Sequence, residues 1–460
     1  MTLVRSLYAA LTWAAQPLLR RKLRRRAQAE PGYGHAIGER FGRYPAPIDS
    51  LMPHSSSDPL GRFVWIHAVS LGETRAAAIL LAALREELPG MRLLLTHGTA
   101  TGRAEGEKLL LPGDVQVWQP WDTPGAVARF LRRFRPAIGI LMETEVWPNL
   151  VAGCRRRGVP LVLANARLNA KSLRNAQRLA PLARPAYAGL TAVWAQTEDD
   201  AERLRAIGAK VRGVFGNLKF DVVPDARQLA QGRTWRDQAA RPVVMLASSR
   251  EGEEAMWLEN FKQKTALPLA GQAQGAINNE ASGDSAATAR SVQWLIVPRH
   301  PQRFDEVHQL LLHAGLTVSR RSTWAGSPPA ADVWLGDSLG EMTLYYGLAH
   351  VAMLGGSYAP LGGQNLIEAA ACGCPVVLGP HTFNFAEAAE LACAAGAARR
   401  VPDMAGGVAQ AVALALDPEL QKSASYRASR FADDHRGGAL ATAQAVLGIV
   451  LPARSVASGG

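Results

Sequence analysis

Cysteine is scarce in this 460-residue chain: only Cys154, Cys372, Cys374 and Cys393 occur, without metal-ligand pairing. Cys372 and Cys374 flank a single glycine, which is the wrong spacing for a zinc ribbon and ordinary for small buried residues at a turn. So few thiols exclude a disulfide scaffold and suit a reducing compartment. There is no Asp-x-Asp metal motif, and no cofactor is expected. Acidic residues are the minority, 39 against 51 basic ones, and the net charge of +12 favours anionic partners. Much of that excess is local, in Arg20, Arg21, Lys22, Leu23, Arg24, Arg25 and Arg26. No aromatic interleaves this run to stack bases, so no nucleic-acid partner is expected.

Long hydrophobic runs are missing too. The apolar stretch from Leu3 to Leu19 is broken by Arg5, Gln16 and Pro17. As a helix it would reach about 25 Å, short of the ~30 Å hydrocarbon core of a bilayer. A cleavable signal carries its cations before the apolar run, whereas here they follow it. That order favours a membrane anchor that keeps the downstream chain on the cytoplasmic side, beside anionic lipid. Three placements stay open for the segment: a short span, an interfacial helix, or a helix docked on the protein.

The chain is long enough for two or three domains. From about residue 61, short β-rich runs alternate with helical segments, as in parallel α/β sheets. Strands are expected at 63–68, 92–96, 137–142, 160–164, 192–195 and 211–215, then at 243–247, 294–298, 331–335, 350–354 and 375–378. Helical patterns such as 75–88, 124–134 and 198–207 fall between them. The expected organisation is an anchor and basic stretch over 1–26, a doubly wound Rossmann-like domain over 27–222, a linker over 223–240 and a second such domain over 241–450. The two domains are expected to face each other across a cleft. The polar segments 45–59 and 267–288 read as a loop and a surface insertion.

Ligands of such sheets gather at the carboxyl ends of the strands, and the polar residues there are distinctive. After the first strand, Ser70-Leu71-Gly72-Glu73 opens a helix, where Glu73 either caps it or serves as a base. Glu143 and Glu145 follow the 137–142 strand and either start a helix or bind substrate hydroxyls or a cation, and Arg167 follows the next strand. Lys219 closes the first domain. In the second domain, Ser248, Ser249 and Arg250 sit before a helix in an arrangement suited to phosphate, and Arg299-His300-Pro301 offers a charged fork at a rigid turn. Gly355-Gly356, then Gly363-Gln364-Asn365 and Glu368, combine exposed backbone N–H groups with a carboxylate placed for ribose hydroxyls. A single glycine turn is weak evidence, but several such loops in one domain point to a nucleotide-sugar.

Taken together and in order, HAVSLGET (67–74), METEVWPNL (142–150), LANARL (163–168), GNLKFD (216–221), EGEE (251–254), LIVPRHPQRF (295–304), GDSLGEM (336–342), the 355–370 glycine segment and GPHTFNF (379–385) closely resemble bacterial 3-deoxy-D-manno-octulosonic acid (Kdo) transferases of lipopolysaccharide assembly. The resemblance implies a GT-B fold preceded by an inner-membrane anchor on the cytoplasmic face. It implies inverting, metal-independent transfer of Kdo from CMP-Kdo to a hydroxyl of the acylated, phosphorylated lipid A precursor. Glu73 matches the family's base, while Arg299, the 355–356 and 362–365 loops and Glu368 match its CMP-binding side. Gln364 and Arg250 stand where the family usually has histidine. Two alternatives are a GT-B transferase or epimerase using a UDP-sugar, and a non-catalytic membrane or nucleic-acid binder using the basic N-terminus.

Overall fold

Residues 3–44, 62–263 and 291–451 are described by the computed structural model. The segments 45–59 and 267–288 therefore lie outside the described residues. Two sheets of seven parallel strands are present, and the chain divides into two units: Met1–Asp221 with Arg436–Gly460, and Val222–His435.

The first unit contains β1 (Phe63–His67), β2 (Arg92–His97), β3 (Val115–Trp118), β4 (Ile138–Met142), β5 (Leu161–Ala166), β6 (Ala192–Ala195) and β7 (Val211–Val214). Their spatial order is β3-β2-β1-β4-β5-β6-β7. Burial on both faces explains why β1 reads FVWIH with no polar alternation. Phe63 and Trp65 enter one core with Phe130 and Phe134, while Val64 and Ile66 enter the other with Leu80 and Leu84. Gly139 is required on β4, because a Cβ there would lie 2.6 Å from the Trp65 ring. The second core is completed by Ala439, Ala443 and Val446 of the C-terminal helix Gly438–Val450. Asp221 holds that helix by accepting hydrogen bonds from the Gly437 and Ala439 N–H groups. The stretch 436–450, expected in the second domain, thus belongs to the first unit. A largely apolar helix must be covered, and the open face of the first sheet covers it.

The second unit contains β8 (Val243–Ser249), β9 (Gln293–Pro298), β10 (Val318–Arg320), β11 (Val333–Leu335), β12 (Val351–Leu354), β13 (Val376–Leu378) and β14 (Ala398–Arg400), ordered β10-β11-β9-β8-β12-β13-β14. Most of the expected linker 223–240 is instead the helix Ala226–Gln238, capped by Asp225. It is poor in large apolar residues because it packs by close backbone approach: a Cβ on Gly232 would lie 2.2 Å from the Leu344 carbonyl. Three strands were not anticipated from sequence, namely β3, β10 and β14. All are sheet edges and only partly buried, so they lack the continuous apolar run that marks a central strand.

The N-terminal helix Leu3–Ala14 docks on the first unit with its polar side inward. Tyr8 hydrogen-bonds Asp122, whose carboxylate accepts from the Asn149 and Leu150 N–H groups at the start of helix Pro148–Arg156. Burial raises the Asp122 carboxyl to about 6, against those hydrogen bonds. Leu3, Leu7 and Leu11 consequently line the outer side, each more than half exposed. Among the described residues no helix is long and apolar enough to cross a membrane.

Candidate functional site

In the first sheet the strand order reverses between β1 and β4, so the loops after these two strands diverge and leave a crevice between them. Glu73 follows β1 and Glu143 follows β4, on either side of this reversal. Ser70 caps helix Leu71–Glu87 by accepting from the Glu73 N–H. The Glu73 carboxylate turns back over the helix start, where Oε2 accepts from the Val69 N–H at 2.8 Å and Oε1 from the Ser70 hydroxyl at 3.2 Å. Its carboxyl is raised to about 7, first by burial and then by the charges of Glu143 and Glu145, against these hydrogen bonds. Capping and basicity therefore coexist in one residue. A helix cap alone would hold a carboxylate at lower pKa, whereas a carboxyl near 7 is matched to proton abstraction at neutral pH.

Glu143 is 3% exposed, and its second oxygen lies 2.7 Å from the Arg167 guanidinium. Glu145 accepts from the Trp147 indole N–H at 2.8 Å, and burial raises its carboxyl. Glu143 and Asn165 both have positive φ, 56° and 52°, rare for residues with a side chain. Such strain at consecutive strand ends marks loops shaped for something other than stability. Asn165 also accepts the Leu218 N–H at 3.1 Å, tying the 216–221 turn to the end of β5. Lys219 lies half-buried in that turn.

The second sheet repeats the arrangement, reversing between β8 and β12. Ser248 is the next-to-last residue of β8 and Arg250 follows it, and Gly355-Gly356 follow β12. Ser248 has φ 53°. Its backbone passes so near Gly355 that a Cβ there would lie 2.3 Å from the Ser248 carbonyl. A Cβ on Gly356 would lie 3.1 Å from Gln364 Nε2 and 3.5 Å from Arg250 Cγ, so the two residues that depart from histidine share one neighbourhood. Gly363 donates its N–H to the Gly356 carbonyl at 2.7 Å, joining the two glycine turns. Asn365 bridges Glu368 at 3.0 Å and the Ile367 N–H at 3.1 Å. Arg299 and Glu368 both lie within electrostatic reach of buried Tyr346. His300 is half-buried and begins the Pro301 turn.

Ser249 does not join this group. It is fully buried and donates to Glu254 at 2.6 Å, and Glu254 also receives a two-pronged bond from Arg303. Its hydroxyl is committed to the fold. Sequence reasoning missed Glu253, which is fully buried and accepts the N–H groups of Arg250, Gly356, Tyr358 and Ala359. One carboxylate thus shapes both loops at the reversal. The available signal was the two adjacent acids opening a helix right after the Ser-Ser-Arg turn.

Residues 35–222 match the family described as 3-Deoxy-D-manno-octulosonic-acid transferase (kdotransferase). The chain is 46% identical to the 3-deoxy-D-manno-octulosonic acid transferase of Bordetella pertussis, over 96% of this chain and 98% of that one. Against the Haemophilus influenzae enzyme of the same name the figure is 30%, over 83% and 84%. A glycosyltransferase structure from Rickettsia africae shares the fold, with a TM-score of 0.52 at 12% identity, over 85% of this chain and 99% of that one.

Proposed function

The chain belongs to the 3-deoxy-D-manno-octulosonic acid transferase family, and from that premise we propose how its own residues carry out the transfer. It is a glycosyltransferase that transfers Kdo in lipopolysaccharide biosynthesis. The donor is CMP-Kdo and the acceptor a hydroxyl of the lipid A precursor. The observation that carries the reading is Glu73, a half-buried carboxyl raised to about 7 at the strand-order reversal.

Glu73 takes the proton of the acceptor hydroxyl as that oxygen attacks the anomeric carbon, and the bond to the CMP phosphate breaks with inversion. Glu145 and the Glu143–Arg167 pair orient the acceptor sugar and keep Glu73 basic. In the second unit the N–H groups of the glycine turns, Ser248, Arg250 and Arg299 receive the phosphate and its developing charge, with His300 next to Arg299 in the chain. Glu368, oriented by Asn365, takes the ribose hydroxyls, and Gln364 adjusts the phosphate contacts. No step requires a metal.

The N-terminal helix lies in the membrane interface on the cytoplasmic face of the inner membrane. Leu3, Leu7 and Leu11 face outward, and Arg21, Lys22, Arg24 and Arg25 are exposed on the following helix. Each cation near anionic lipid contributes roughly 1 kcal/mol. Incubating the protein with lipid A precursor and freshly generated CMP-Kdo tests the chemistry: product mass rises by one or more Kdo residues. Transfer from a UDP-sugar with none from CMP-Kdo overturns the donor assignment.

A further inference from the structure

A groove of about 490 Å³ lies in the first unit, between the N-terminal helix and helices Pro148–Arg156 and Ala180–Ala188. Its apolar wall includes Val151, Leu182 and Pro185, and its cations are Arg5, Arg155 and Arg156. No acid lines it among the described residues. None of the three arginines makes an ion pair with a described residue, unlike Arg85, Arg103, Arg167 and Arg303 of the same chain. Arg5 Nε is fully buried with no hydrogen-bond partner among the described residues. A buried guanidinium N–H without an acceptor costs about 1–3 kcal/mol, a cost that an anion seated in the groove would relieve. An apolar wall beside three unneutralised guanidinium groups fits an amphiphile with a phosphate next to an alkyl chain.

One helix, Pro148–Arg156, starts beside the acidic crevice and forms a wall of the groove. Pro148, which lines it, directly follows the Glu145–Trp147 pair, and the helix then runs away from the crevice to Arg155 and Arg156, about 12 Å along its axis. We propose that this groove seats a phosphate-bearing, acylated end of the glycolipid acceptor while the acceptor's sugar hydroxyl lies at Glu73. The proposal rests on the transfer reading above. It makes Arg5, Arg155 and Arg156 specificity determinants for a phosphorylated acceptor, and the helix that leads from the Glu145–Trp147 pair to Arg155 and Arg156 favours the acceptor over bulk phospholipid.

The test uses the full chain with detergent-solubilised acceptor, comparing wild type with Arg155→Ala/Arg156→Ala and, separately, with Arg5→Ala. Arg155 and Arg156 are exposed, so the double variant folds. The expected result is an acceptor KM at least tenfold higher with donor KM within twofold. Wild type should also use dephosphorylated acceptor poorly, and the double variant should lose that discrimination. An unchanged acceptor KM overturns the proposal, as does an equal rise for both acceptors. Loss confined to binding of phosphatidylglycerol vesicles assigns the groove to bulk lipid and overturns it as well. If wild type transfers no Kdo, the transfer reading has failed instead. Calorimetric titration of acceptor micelles into wild type and double variant then decides the groove, and equal binding refutes it.

Discussion

Replacing Glu73 with glutamine separates the two roles its position allows. Raising the carboxyl from 4.5 to about 7 means that ionising it costs about 3 kcal/mol more in the folded protein than in the unfolded chain. Because the folded pKa lies above the unfolded one, the stabilisation from the protonated form is complete below about 4.5. It is lost as pH rises towards about 7. Solvent screening of the half-buried side chain reduces the cost to about 1–2 kcal/mol. Glutamine carries no charge, and its carbonyl can still accept the Val69 N–H. Glu73→Gln should therefore be more stable than wild type at pH 8 by about 1–2 kcal/mol, roughly 2–8 °C in melting midpoint for a unit of this size. The advantage should shrink towards pH 5. Acceptor kcat/KM should fall by about 10²–10⁴-fold in the variant. In wild type it should rise with pH through about 7 as the base ionises. Calorimetric scans at pH 5 and 8 with steady-state rates form the assay. A variant less stable than wild type by the same amount at both pH values would mean that Glu73 is only a cap. Retained turnover in a folded variant would refute the base assignment.

The charge of Glu145 raises the Glu73 carboxyl, so Glu145→Gln should move the midpoint of the pH–rate profile below 7, as kcat/KM against pH would show. Glu253→Ala leaves four backbone N–H groups without their acceptor. A loss of at least about 3 kcal/mol is expected, roughly 6–12 °C in melting midpoint, with CMP binding lost in parallel by titration. Leu7→Ser with Leu11→Ser should weaken sedimentation with phosphatidylglycerol vesicles while leaving the melting midpoint nearly unchanged, because both side chains face outward.

The central strands were legible in the sequence because strands buried on both faces must be apolar throughout, as FVWIH and IGILM are. Local pattern also placed Glu73, Glu143, Arg250 and Gly355 at strand ends, since a polar residue just after such a run has few other places to be. The edge strands β3, β10 and β14 escaped for the converse reason, being half-solvated with no obligatory pattern. Strand order was decided by tertiary structure alone. That order makes Glu73 and Glu143 neighbours at one reversal, and Ser248 and Gly355 neighbours at the other, although about 70 and about 107 residues separate each pair. Folding likewise brought the C-terminal helix back onto the first sheet, and it turned the polar side of the N-terminal helix inward onto Asp122. Burial is what raises Glu73 to about 7, and burial is a property of the assembled core that no single stretch of sequence contains.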